Sequence, residues 1–126
     1  MKVLRTYYIF LFSTVIISQE KEKIRYEDLY ERNGLIYASD QDSSFNGTVD
    51  ENWSTGINKL SYTYKNGKPD SKWSDWFNNG QPKEEVEYSD GIKNGLHKQW
   101  YKNGQQKFER TYKNGIHDGK WTEWYE

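Results

Sequence analysis

The sequence predicts an all-β fold. Tandem β-hairpins of 24 residues form one elongated antiparallel meander sheet, preceded by an N-terminal signal peptide. Three observations carry this reading. Nine of the ten glycines fall on a 24-residue lattice (Gly47, Gly95, Gly119; Gly56, Gly80, Gly104; Gly67, Gly91, Gly115), with Ser71 completing the first set. Aromatic and lysine columns share the spacing: Tyr64, Tyr88, Tyr112; Trp76, Trp100, Trp124; Lys59, Lys83, Lys107. Asn-Gly pairs begin at 33, 46, 66, 79, 94, 103 and 114, and Asn-Gly tolerates the positive φ that hairpin turns demand. A fixed period of this length is the mark of a repeat array, and glycine recurs too often for long helices.

The first 18 residues differ from the rest. Lys2 and Arg5 precede the uncharged run TYYIFLFSTVII over 6–17. Such a run is shorter than the ~17–25 residues that cross a bilayer. A basic start, a short apolar run and a polar switch after Ser18 have the layout of a secretory signal peptide over 1–18. The alternative is an uncleaved anchor. Removal leaves 16 basic against 19 acidic residues, a balance of −3, and places the mature chain outside the cytoplasm, periplasmic or secreted. No cysteine is present, so no disulfide framework, thiolate metal site or cysteine nucleophile exists. The near-neutral charge offers no electrostatic footprint for nucleic acid.

Residues 19–44 read as an N-terminal cap with a β-hairpin. Asp28–Arg32 and Leu35–Ala38 flank Asn33-Gly34, which sets Tyr30 opposite Tyr37, and SDQDSS over 39–44 is a polar loop. A helix over 21–32 is the alternative, since Glu and Lys are good helix formers. Residues 45–126 hold the hairpin units: 47–70, 71–94, 95–118 and a partial 119–126. Within a unit, Trp73–Phe77 and Lys83–Tyr88 are strands joined by Asn79-Gly80 as a two-residue type I′ turn. A longer turn through Asp90-Gly91 leads onward. That loop length pairs Trp76 with Lys83, Asp75 with Glu84 and Trp73 with Val86. In the next unit it pairs Trp100 with Lys107, Gln99 with Phe108 and His97 with Arg110.

Alternation then divides the sheet into two faces. One is aromatic: Val49, Leu60, Tyr62 and Tyr64, then Trp73, Val86 and Tyr88, then Phe108 and Tyr112, with Trp53, Phe77 and Tyr101 beside them. Glu84 and Arg110 intrude on it, which suggests a salt bridge between neighbouring units. The other face is polar except for Trp76, Trp100 and Trp124. Strands recur at ≈4.7–4.9 Å, so these indoles would repeat about every 10 Å. The row has two readings. The indoles stack on an extended polymer or seat a protein partner, with Lys83 and Lys107 beside them. Or each indole lies under a lysine stem in a cation–π contact of ~0.5–1 kcal/mol. The strand over 120–125 reads as an open edge, with Trp121, Trp124 and Tyr125 inviting edge-to-edge pairing of two copies.

No catalytic residue, metal site or cofactor is expected. His97 shares a column with Trp73 and Trp121 and fills an aromatic slot; His117 lies in a turn. The carboxylates are scattered at hairpin spacing. No phosphate loop, nucleophile elbow or zinc signature is present.

The phrases YKNGKPDSKWSDWFNNG, YSDGIKNGLHKQWYKNG and YKNGIHDGKWTEWY resemble the bacterial variant of the MORN repeat. The lead-in DLYERNGLIYASDQDSSFNGTV is similar to the opening of YwqK-type antitoxin-like proteins. The resemblance covers roughly residues 28–126. It implies successive hairpins in one sheet and leaves function open. Ser71, where glycine is usual, and His97, where an aromatic residue is usual, depart from the pattern. The expectation is a non-enzymatic binding or scaffold module whose partner is a protein or a cell-envelope polymer. An antitoxin-like inhibitor of a partner protein is the second expectation. Attachment to a membrane-lipid surface, as in MORN arrays, is the third.

Overall fold

The computed structural model describes residues 24–125. The signal peptide expected over 1–18 and the start of the cap lie outside the described residues. No helix among the described residues is long and apolar enough to cross a membrane.

The described chain is all-β apart from a 3-10 turn at Tyr26–Asp28. Strands β1 (Leu29–Arg32) and β2 (Leu35–Ala38) form a separate two-stranded sheet with Tyr30 opposite Tyr37. The alternative helix over 21–32 is therefore not formed at 29–32. The remaining strands are β3 (Gly47–Asn52), β4 (Asn58–Lys65), β5 (Lys68–Pro69), β6 (Ser71–Trp76), β7 (Pro82–Ser89), β8 (Ile92–Trp100), β9 (Gln106–Lys113), β10 (Ile116–His117) and β11 (Thr122–Glu123). They make one antiparallel nine-stranded sheet in the order β10-β9-β8-β7-β6-β4-β3. Strand β5 lies on β4, and β11 lies on β9.

Two kinds of turn alternate, and their places are exchanged relative to the sequence expectation. At Asn33-Gly34, Asn66-Gly67, Asp90-Gly91 and Asn114-Gly115 both residues have positive φ, as a two-residue type I′ turn requires. At Asn79-Gly80 only Gly80 does, with φ +86°. There the Phe77 amide donates to the Gln81 carbonyl at 2.8 Å and the Gly80 amide donates to the Phe77 carbonyl at 3.0 Å. This is a three-residue loop closed by a left-handed glycine. The same bonds recur around Gly56 and Gly104.

The extra loop residue shifts the register by one, and a β-bulge restores it. Trp76 faces Pro82 and Trp100 faces Gln106, so the expected pairs Trp76–Lys83 and Trp100–Lys107 are not formed. Beyond the bulge, Asp75 faces Glu84, Trp73 faces Val86, Gln99 faces Phe108 and His97 faces Arg110, as read from the sequence. The shift between β3 and β4 has the same form, with Asn52 opposite Asn58 and Glu51 opposite Leu60. The residue skipped each time is a lysine: Lys59, Lys83 or Lys107.

Successive hairpins are tied at their two-residue turns. The amides of Asn66, Asp90 and Asn114 donate to side-chain oxygens of Asn46, Asp70 and Asn94 at 2.8, 3.4 and 3.1 Å. The amides of Gly67, Gly91 and Gly115 donate to the carbonyls of Phe45, Pro69 and Lys93, each at 2.8 Å.

The densest core lies where the cap covers the aromatic face. Ala38, Phe45, Val49, Leu60 and Tyr64 are buried there, with Ile24, Leu29, Ile36, Tyr62 and Trp73 packed against them. Val49 is wholly buried, a burial that contributes ~1.5–3 kcal/mol. From there an aromatic ladder runs along the sheet. Trp73 stacks on Tyr62 at 4.3 Å and contacts Tyr64 and Tyr88, and His97 meets Phe108 edge-on at 4.8 Å.

Candidate functional site

The bulges place the lysine column beside the aromatic residues that open each three-residue loop. Lys59 Nζ lies 5.5 Å from the Trp53 ring and Lys107 Nζ 5.7 Å from the Tyr101 ring. The cation–π contact expected between Lys107 and Trp100 thus falls on Tyr101 in the neighbouring column instead. The cause is the register shift, which sets each lysine next to the loop and away from the indole.

Three of the five residues expected to bind a partner meet at one place. Lys83, Trp100 and Lys107 line a depression of about 330 Å³ together with Phe77, Tyr101 and Lys102. Glu84 and Gln99 complete its wall. The loop of one hairpin positions the next here, because Asn79 Nδ2 donates to the Lys102 carbonyl at 2.9 Å. Tyr101 is anchored in turn, its hydroxyl donating to the Trp124 carbonyl at 3.1 Å.

Trp76 lines a different depression, about 410 Å³, with Asp50, Asn52, Asn58, Leu60 and Ser61. Asn52 stands in the tryptophan column there, and no lysine lines the space. Trp76 and Trp100 are half-buried, so the row of freely exposed indoles expected from the sequence is not formed. Trp124 is 39% exposed and lines neither depression.

The three lysines of the 330 Å³ depression are exposed, and none takes part in an ion pair among the described residues. Lys59, Lys72 and Lys98, by contrast, pair with Glu51, Glu85 and Glu109. Three unpaired ammonium groups beside three aromatic rings suit a ligand that carries negative charge and an apolar surface.

Behind this wall lies a polar cluster that the sequence reading did not assemble. Glu84 Oε1 accepts from His97 Nε2 at 2.6 Å and from Gln99 Nε2 at 2.8 Å. Lys93 Nζ lies 3.3 Å from His97 Nδ1. The hydrogen bond from His97 holds the Glu84 carboxyl below its usual range. Across the strand pair, Asp75 accepts from the Tyr62 hydroxyl at 2.6 Å. Burial pushes the Asp75 carboxyl up and also pushes up the Tyr62 phenol. The expected bridge involving Glu84 and Arg110 is replaced: Arg110 lies opposite His97 and pairs with Glu123 at 2.8 Å. A signal for the cluster was present in the columns. Glu84 stands where the lattice elsewhere has Leu60 and Phe108, and His97 stands where it has Trp73 and Trp121.

His97 is 6% exposed and its Nε2 is bonded to Glu84. Among the described residues no group of three or more His, Asp or Glu side chains is placed to hold a metal ion. No protein-family model, curated protein or solved structure matches the chain.

Proposed function

We propose that the chain is a non-enzymatic binding module of the extracytoplasmic space, built from 24-residue hairpin units of the MORN-variant kind. It engages a cell-envelope polymer or a protein through the rim where the three-residue loops meet. The depression carried by Lys83, Lys102 and Lys107 beside Phe77, Trp100 and Tyr101 is the observation that carries this reading. The unit boundaries are supported by the turn-to-turn bonds, which recur at intervals of 24 residues. The extracytoplasmic placement is supported by the composition of residues 1–18.

The test is capture from envelope extract with the full chain and with a Lys83→Glu/Lys107→Glu variant. Wild type should retain material that the variant releases, with identical circular dichroism. Equal retention by both proteins would remove the rim from consideration.

A second arrangement has its own support. Trp121 and Tyr125 are 54% and 86% exposed on the stretch that carries β11, which fits edge-to-edge pairing of two copies through 120–125. Sedimentation showing a strict monomer at high concentration would discard it.

A further inference from the structure

We propose that the depression between the second and third three-residue loops takes an acidic carbohydrate, a sugar chain bearing carboxylates. The proposal rests on the binding-module reading and names the ligand class of the same site. The mixture of groups in the wall supports it. Lys83, Lys102 and Lys107 supply three ammonium groups without ion-pair partners among the described residues, enough to seat anionic substituents. Phe77, Trp100 and Tyr101 supply flat apolar surface, against which the C–H face of a sugar ring packs. Glu84 supplies what a purely anionic ligand would not want: a carboxylate. Both bonds to the Glu84 carboxylate fall on Oε1, and neither uses Oε2, which suits a sugar hydroxyl as donor. A ligand that is only phosphate or only carboxylate gains nothing from Glu84 and is repelled by it. A ligand with both hydroxyl donors and acidic groups uses the whole wall.

The seat is single. One period earlier, Leu60 replaces Glu84, Trp53 replaces Phe77 and Asn78 replaces Lys102, so the equivalent rim is more apolar and less basic. The depression beside Trp76 holds Asp50 and no lysine. A long acidic polymer therefore meets one strong contact per chain and no ladder of equal ones. At about 330 Å³ the depression is at the small end of the range for ligand pockets, and adjacent hairpin units are spaced by about 10 Å, roughly two sugar rings.

The test is calorimetric titration of the full chain with four probes. They are oligogalacturonate, a neutral oligogalactoside of equal length, inorganic phosphate, and vesicles of anionic phospholipid. The expected result is saturable binding of oligogalacturonate, one seat per chain, weakened by salt. Lys83→Gln and Lys107→Gln should each lower the affinity roughly two- to fivefold. Their melting temperatures should shift only slightly, because both side chains are exposed, neither is in an ion pair among the described residues, and the Lys107–Tyr101 cation–π contact is long at 5.7 Å. Equal binding of the neutral sugar, or lysine variants with unaltered affinity, would overturn the proposal. So would phosphate or vesicles binding in place of the sugar. If no probe binds while envelope capture still depends on Lys83 and Lys107, the ligand class fails and the binding module stands. If capture is also independent of those lysines, both fail.

Discussion

Two carboxylates face one another across β6 and β7, and their surroundings push them in opposite directions. Glu84 is held in its charged form by His97 and Gln99. Its bound carboxyl lies below the ordinary 4.5, so its contribution to stability is present above that value and is lost as pH falls through the lowered one. Asp75 is raised by burial, so its contribution has the opposite sign and is lost as pH rises through the raised value. Glu84→Gln should therefore destabilise at neutral pH by about 1 kcal/mol, and Asp75→Asn should be neutral or mildly stabilising; urea unfolding at pH 7 reads both. At the alkaline end, burial raises the Tyr64 phenol from 10.0 to about 12. Stability should accordingly fall as pH rises between those values, monitored by phenolate absorbance together with circular dichroism. Ser71 is a further residue under local strain. Its φ of +61° lies in the left-handed region, and the residues at the same lattice position, Gly47, Gly95 and Gly119, are glycines that also have positive φ. Ser71→Gly should stabilise by about 0.5–1 kcal/mol, measured as a higher urea midpoint. An unchanged or lower midpoint would mean that the bond from Ser71 Oγ to Asp70, 3.0 Å long, outweighs the strain.

At the scale of the element, the hairpins and their columns were legible in the sequence, and the kind of turn was not. Asn-Gly reads as a two-residue turn wherever it stands, yet Asn66-Gly67 and Asn79-Gly80 fold differently. The difference lies in the strand after the turn. A bulge at Lys83 absorbs one residue, and a bulge has no dipeptide signature. The inner register is the one the columns imply, because the loop and bulge offsets cancel. Next to the loop they do not cancel. The pairs Trp76–Lys83 and Trp100–Lys107 therefore do not form, and the surroundings of the candidate site change with them. The two-residue turns are also unequal among themselves. A Cβ on Gly34 would meet nothing within 4 Å, whereas one on Gly67 would lie 2.8 Å from the Ile36 carbonyl oxygen. Both positions have positive φ, so Gly34→Ala should cost about 1 kcal/mol. Gly67→Ala should cost visibly more, because backbone must move. Equal thermal shifts for the two variants would refute this ordering.

On the scale of the whole molecule, the sheet is a chain of nearest neighbours with one thick end. The cap supplies the core around Val49 and Phe45, and stability beyond it accrues hairpin by hairpin. Excising residues 71–94, one full period, would join Asp70 to Gly95, so that Asp70 takes the place of Asn94 beneath the bend at Asn114-Gly115. The shortened chain should fold with a strand signature per residue like that of the parent and a smaller denaturant slope, because less surface is buried. Excision of half a period should not fold, since it fuses two turns of different kind. The cap hairpin was legible at Asn33-Gly34, with Tyr30 opposite Tyr37; its standing as a separate sheet and the polar cluster behind the rim were not. The cluster arises from residues that break the columns, Glu84 and His97.

The ties made by the amides of the two-residue bends at 66–67, 90–91 and 114–115 run in one direction. Asn46, Asp70 and Asn94, with the carbonyls of Phe45, Pro69 and Lys93, lie earlier in the chain than the bends they hold. During synthesis, each newly emerging bend would find its acceptors already in place on the ribbon made before it. Maturation can then advance from the amino end like a zip, and a ribosome-stalled intermediate would resist protease up to its last completed tooth.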